Sequence, residues 1–159
     1  MKPIRFTVNT IPKPKGRPRV VNVRGTPIAF TPKRTRSFEA QVTAAAAAAM
    51  PDGVLDEPLC VDILAVLPRP KRLCRRKDPS GLIWAPVRPD ADNIRKAVLD
   101  ALDGFWRDDA LVVAGETFKV FAEKRDGRPR LEVIITSAPE VVMGDGWIIG
   151  GVYWDEVPS

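Results

Sequence analysis

The sequence predicts a single α+β domain over residues 1–137, a mainly antiparallel sheet with two principal helices. Three observations carry this. Ile4, Phe6 and Val8 alternate with Arg5 and Thr7, the period of two that marks a strand with one buried face. Ile94, Ala97, Val98, Ala101 and Leu102 recur instead at the i, i+3, i+4, i+7, i+8 spacing of a helix with an apolar stripe. The 159 residues suit one core with an appended tail.

The elements follow in order. Residues 2–9 form the first strand. IPKPKGRPRV comes next, where prolines exclude a helix interior or a central strand, so this is an extended arm carrying charge. Residues 20–31 suggest a hairpin turning at Arg24-Gly25. A helix is expected from about Thr35 or Ser37 through the alanines at 44–49. A Ser or Thr would cap its start, and Pro51 with Gly53 would end it. Leu59 to Leu67 reads as a buried strand. Residues 68–89 are long and irregular, and a loop of that length is usually functional or mobile. Asp90 to Asp103 is the second helix, with Gly104 as its C-terminal cap. Residues 111–122 and 129–137 read as two antiparallel strands joined through Asp126-Gly127. The tail, 138–159, is acidic and would form another hairpin.

Composition excludes several kinds of chemistry. There is no histidine, which removes Ser-His and Cys-His catalysis and imidazole metal ligands. The only cysteines, Cys60 and Cys74, make neither a disulfide framework nor a zinc site. The N-terminus lacks the apolar region of an export signal, so a cytoplasmic protein with reduced thiols is expected. No run of about 18 apolar residues suggests a membrane span. Net charge is +5, unevenly spread: residues 1–36 hold ten Lys/Arg and no acid, and residues 69–77 hold six more. The tail 138–159 holds four acids and no base, leaving residues 1–137 with 25 basic against 16 acidic side chains, a net of +9. Such clustering suits a polyanionic partner, although a solvated basic surface would give the same count.

The chemistry points to RPDADNIRKAVLDALDGFWRDDALVV. Asp90 and Asp92 stand at the mouth of the second helix, Lys96 lies one turn further, and Asp108 and Asp109 follow the helix. Each piece has a plain structural account. Asp92 would serve as an N-cap, Asp92, Lys96 and Asp100 as a surface ladder, and Asp108-Asp109 as a turn. Together they suggest more. Mg²⁺ takes oxygen ligands, often a few carboxylates with water and substrate phosphate. Two aspartates at a helix mouth and a third from the following loop can converge on one ion, with Lys96 near the phosphate.

PDADNIRKAVLDAL followed by FWRDDALVV resembles the RusA Holliday-junction resolvases. The shared pattern is Asp-x-Asp-Asn, a lysine four residues after the second Asp, then Gly-aromatic-Trp-x-Asp-Asp and a further lysine met here by Lys119. PKPKGRPR and TPKRTRSFEAQV are similar to the opening of the phage-type branch. The resemblance spans roughly residues 3–136. It implies Mg²⁺ (with Mn²⁺ as a substitute ion) held by Asp90, Asp92 and Asp109, and Lys96 as an essential neighbour of the base or phosphate. It also implies a homodimer that nicks opposed strands of a four-way DNA junction in recombination and repair. Leu111 departs from it, standing where glutamine is common, and is expected to touch packing or a strand contact, not metal.

Beyond this motif, Lys13, Lys15, Arg17 and Arg19 on the arm, Lys71, Arg72, Arg75 and Arg76 in the long loop, and Arg88 are the candidate DNA contacts. Surface charge is the plainer account of each. Phe105 and Trp106 fit a core or dimer interface better than base stacking. Trp84 suits either stacking on an unpaired base or anchoring its loop. Two rival functions remain. One is a non-catalytic protein that binds branched DNA. The other is a nucleotide or sugar-nucleotide transferase using Asp-x-Asp, which would need a phosphate-cradling glycine loop that the sequence lacks.

Overall fold

The computed structural model describes residues 1–139 except 18, 24 and 31. The expected tail hairpin therefore lies outside the described residues. Among the described residues, eight strands and two α-helices follow in order: β1 (Ile4–Val8), β2 (Arg19–Val23), β3 (Thr26–Phe30), α1 (Lys33–Ala49), β4 (Leu59–Leu67), β5 (Ile83–Trp84), α2 (Ala91–Leu102), β6 (Val112–Ala114), β7 (Thr117–Phe121) and β8 (Arg130–Ser137). The class is α+β, as expected. The sheet runs β1-β8-β4-β7-β5, with β6 also pairing β4, while β2 and β3 form a separate two-stranded ribbon.

Every residue of β4 is buried, and its alternating side chains explain why. Leu59, Val61, Ile63 and Ala65 join the main core with α1, α2, β1 and β8. Leu64 and Val66 point the other way, into a second cluster with Val120, Ala122, Leu82 and Phe118. Helices cover one face of the sheet, and the segment after β4 helps to cover the other. A strand buried on both faces reads as a continuous apolar run.

That central position overturns one expectation. β7 and β8 are not a hairpin, because β4 lies between them, antiparallel to β8 and parallel to β7. Strand 111–122 is also broken. Gly115 has φ of 120°, and a Cβ there would run into the Val61 backbone, so β6 and β7 meet β4 separately around a close backbone approach.

The start of α1 differs as well. The helix begins at Lys33 with Pro32 at the N-cap position and no side-chain capping bond, while Thr35 is buried in the first turn. Phe38, Val42 and Ala46 form its buried stripe, and the Thr43 hydroxyl donates to the Ala101 carbonyl at 2.7 Å, tying α1 to α2. α2 keeps the expected stripe, with Ile94, Ala97, Val98, Ala101 and Leu102 all buried. Gly104 has φ of 90°, just after the helix, which suits its role there. Among the described residues no helix is long and apolar enough to cross a membrane.

Candidate active site

The stripe that buries one face of α2 turns the opposite face outward. Asp92 in the first turn and Lys96 one turn later are exposed on that face. The guanidinium of Arg95 pins the helix to the sheet: Nη1 donates to the Val61 carbonyl at 2.8 Å and Nη2 to the Ala114 carbonyl at 3.2 Å. Arg95 thus joins α2 to β4 and β6 at once. Burial lowers its pKa, and the nearby Asp62 charge opposes that shift.

After α2, the chain pairs with Leu55 through two backbone bonds, Leu55 N to the Phe105 carbonyl and Arg107 N to the Leu55 carbonyl, both 3.0 Å. This seats Trp106, only 3% exposed, in the main core. A 3-10 turn over Asp109–Leu111 follows. Asp108 caps it by accepting from Ala110 N at 2.7 Å, and Leu111 packs against the core. Asp109 is exposed, and its Oδ1 accepts from Trp106 Nε1 at 2.9 Å.

Asp92, Lys96 and Asp109 line one open cleft of about 290 Å³, together with Arg95, Asp100 and Trp106. Asp90 is not among its lining residues. It occupies the N-cap position of α2, exposed, and its carboxylate makes no capping bond. Lys119 holds the loop leading to it, donating through Nζ to the Val87 and Pro89 carbonyls at 2.7 Å each. Among the described residues, no three acidic or thiol side chains are drawn together as a ready cage for an ion. The donor set nonetheless fits Mg²⁺, which commonly takes one or two carboxylates and completes its shell with water and substrate phosphate.

The surface ladder of Asp92, Lys96 and Asp100, the plain alternative account of these residues, is not formed. Asp100 instead pairs with Lys15 at 2.5 Å, and Lys15 also bonds Glu39 at 2.8 Å. Lys15 N donates to the Asn93 carbonyl at 2.9 Å, so the arm crosses α2 and its central ammonium faces two carboxylates. Partial burial alone would pull the Lys15 pKa down, but its bonds to Asp100 and Glu39 raise it overall. Lys13 is half-buried, Arg17 is exposed, and the Arg19 side chain lies outside what is described.

Lys71, Arg72, Arg75, Arg76 and Arg88 are all exposed. Arg75 is engaged by Asp78, through Nε and Nη2 at 3.2 Å. Trp84 is 58% exposed and leans on Phe118 with ring centroids 6.3 Å apart. The loop around these residues is pinned from within. Arg69 donates to the carbonyls of Leu73, Pro79 and Gly81 at 2.8 to 2.9 Å, and Lys124 reaches those of Arg76 and Asp78.

Two features escaped the sequence reading. Asp62 is buried in the apolar strand β4, accepting from Glu116 N at 2.8 Å and from the Cys60 thiol at 3.5 Å. Burial, reinforced by Asp62, pushes the Cys60 thiol up to about 11, which keeps it protonated and unreactive at neutral pH. The signal was a single charge inside an apolar run. The indole bond to Asp109 is the other, foreshadowed only by the spacing Trp106-x-x-Asp109.

Residues 10–136 match the model of a family described as endodeoxyribonuclease RusA. The chain is also similar to an uncharacterized protein of Bacillus subtilis (strain 168), YqaN. The two are 31% identical over 138 residues, covering 83% of this chain and 94% of that protein.

Proposed function

Because this chain belongs to the RusA endodeoxyribonuclease family, we propose that it is a Mg²⁺-dependent nuclease that resolves four-way DNA junctions by paired nicks. We place it in cytoplasmic DNA recombination and repair, acting as a homodimer. The observation that supports this reading best is the meeting of Asp92, Lys96 and Asp109 in one open cleft. No histidine is available, so carboxylates, an ammonium and an oxygen-bound ion are the chemistry at hand.

In this reading Asp92 and Asp109 hold the ion, joined by Asp90 from the loop that Lys119 ties down. Mg²⁺, or Mn²⁺ in its place, would polarise the scissile phosphodiester and make an attacking water more acidic. Lys96 places its charge beside the phosphate, where negative charge grows during hydrolysis. The exposed cations Lys71, Arg72 and Arg76, with Arg88 before the helix, supply contacts to DNA phosphates. Resolution needs two cuts related across the crossing, and a two-fold dimer presents two identical clefts.

The test compares a four-way junction with a linear duplex of the same sequence, in Mg²⁺ or EDTA. Paired nicks in the junction alone, abolished by EDTA, are expected, together with a dimeric mass by light scattering on the junction-bound protein. Equal cutting of the duplex would remove the junction specificity. A second reading, a protein that binds branched DNA without cutting it, draws on the position of Asp90 outside the cleft lining. Tight junction binding with no nick in Mg²⁺ or Mn²⁺ would favour it.

A further inference from the structure

We infer that Trp106 is a positioning residue for the divalent cation: its indole N–H fixes the Asp109 carboxylate and leaves the second oxygen to the ion. This rests on the proposed metal-dependent reading of the cleft. Asp109 lies on the first residue of a three-residue 3-10 turn and is exposed. A short side chain in that setting samples several rotamers, and ordering it on ligand binding opposes affinity. The Trp106 ring cannot follow it. Its backbone is clamped to Leu55 on both sides, and the ring is 97% buried in the core, being 3% exposed. The carboxylate is therefore held by the ring, through a bond of 2.9 Å to Oδ1.

The chemistry of the donor suits this role. An indole N–H donates only, so it orients one oxygen without competing for the cation. A bond to an ionised acceptor is also stronger than a neutral one. Packing alone explains the ring but not its polar edge, since phenylalanine would fill most of the same space without an N–H. Asp108 beside it turns its own carboxylate to Ala110 N, so the two neighbouring acids are sorted by their partners.

The test uses the full chain in three forms: wild type, Trp106→Phe and Asp109→Ala. Mn²⁺ binding is measured by calorimetry without DNA. Trp106→Phe is expected to weaken Mn²⁺ binding by about tenfold to a hundredfold, the usual effect of removing a partner that orients a metal ligand. Its nicking of a four-way junction should recover when Mg²⁺ is raised, which a damaged cleft would not allow. Unchanged Mn²⁺ affinity in Trp106→Phe would overturn the inference. If that variant does not fold, the indole N–H resonances of the wild type decide. One of them should move on Asp109→Ala and again on adding Mg²⁺, and no response to Asp109→Ala would overturn it equally. Should wild type and Asp109→Ala bind Mn²⁺ alike, the metal reading itself fails, and that is visible before Trp106→Phe is compared.

Discussion

Asp108 and Asp109 are consecutive residues with the same functional group, yet their environments separate them. Asp108 accepts from Ala110 N and closes a turn, while Asp109 lines the cleft with Asp92 and Lys96. Asp109→Asn is therefore expected to abolish nicking in a junction-cleavage gel while leaving junction binding intact or tighter, since a like charge beside phosphate is gone. Asp108→Asn should cut normally, because asparagine caps as well as aspartate does, and Asp108→Ala should lower stability by about 0.5–2 kcal/mol. An inactive Asp108→Asn beside an active Asp109→Asn would exchange the two assignments. Lys96 belongs to the same scale. It is exposed on α2 and faces the cleft. On the proposed role beside the scissile phosphate, Lys96→Ala should reduce the single-turnover cleavage rate far more than junction affinity. Equal losses would make it an ordinary phosphate contact.

At the scale of elements, the segment between β4 and β5 shows what a long irregular sequence can hide. Its prolines and charges suggest a functional or mobile loop, but Arg69 binds three of its carbonyls, and Leu73 and Leu82 pack beneath it. Arg69→Lys keeps the charge but loses the planar fork that reaches three acceptors. It should lower the melting temperature and open residues 70–82 to limited proteolysis, and wild-type protease resistance would argue that the bonds contribute little. The irregular loop was legible as a loop, but its order was not, because order there depends on one guanidinium gathering three carbonyls of its own loop and on Lys124 reaching two more from far along the chain, and neither leaves a local pattern. The same distinction runs through the fold. The stripe of α2 and the alternation of β1 are local patterns, and both were readable. The pairing of β7 and β8 was not, since a turn at Asp126-Gly127 suggests a hairpin while the apolar β4 must be inserted between them to bury both its faces. That Asp92, Lys96 and Asp109 share a cleft was legible because one helix and its following turn bring them together, whereas Asp90, expected beside them, is not in its lining. The Asp100 partner was not: spacing offered Lys96, but the arm delivers Lys15 from the other end of the chain.

For the whole molecule, the distribution of charge matters more than its sum, and the ion pairs redistribute it. Residues 1–137 carry a net +9, yet Lys15 lies between Glu39 and Asp100, and Arg75 is engaged by Asp78. These two cations are already compensated, whereas no ion pair among the described residues engages Lys13, Arg17, Lys71, Arg72 or Arg76. The arm should then divide into a structural lysine and DNA contacts. Each phosphate neutralised contributes about −0.9 to the slope of log K against log salt. Changing Lys13 and Arg17 together to Ala should reduce that slope by roughly one to two units by that rule, on linear duplex and junction alike, because phosphates carry little information about branching. Lys15→Ala should leave the slope unchanged and lower the melting temperature instead. The pH dependence of that second effect has a definite sign. The folded-state pKa of Lys15 is raised, so its contribution is complete below the ordinary lysine value and is lost only as pH rises through the higher folded value. The melting-temperature gap between wild type and Lys15→Ala should hence persist through neutral pH and narrow only in strong alkali. A salt slope that falls in Lys15→Ala but not in the Lys13 and Arg17 variant would mean that DNA draws Lys15 away from Asp100 at the rim of the cleft.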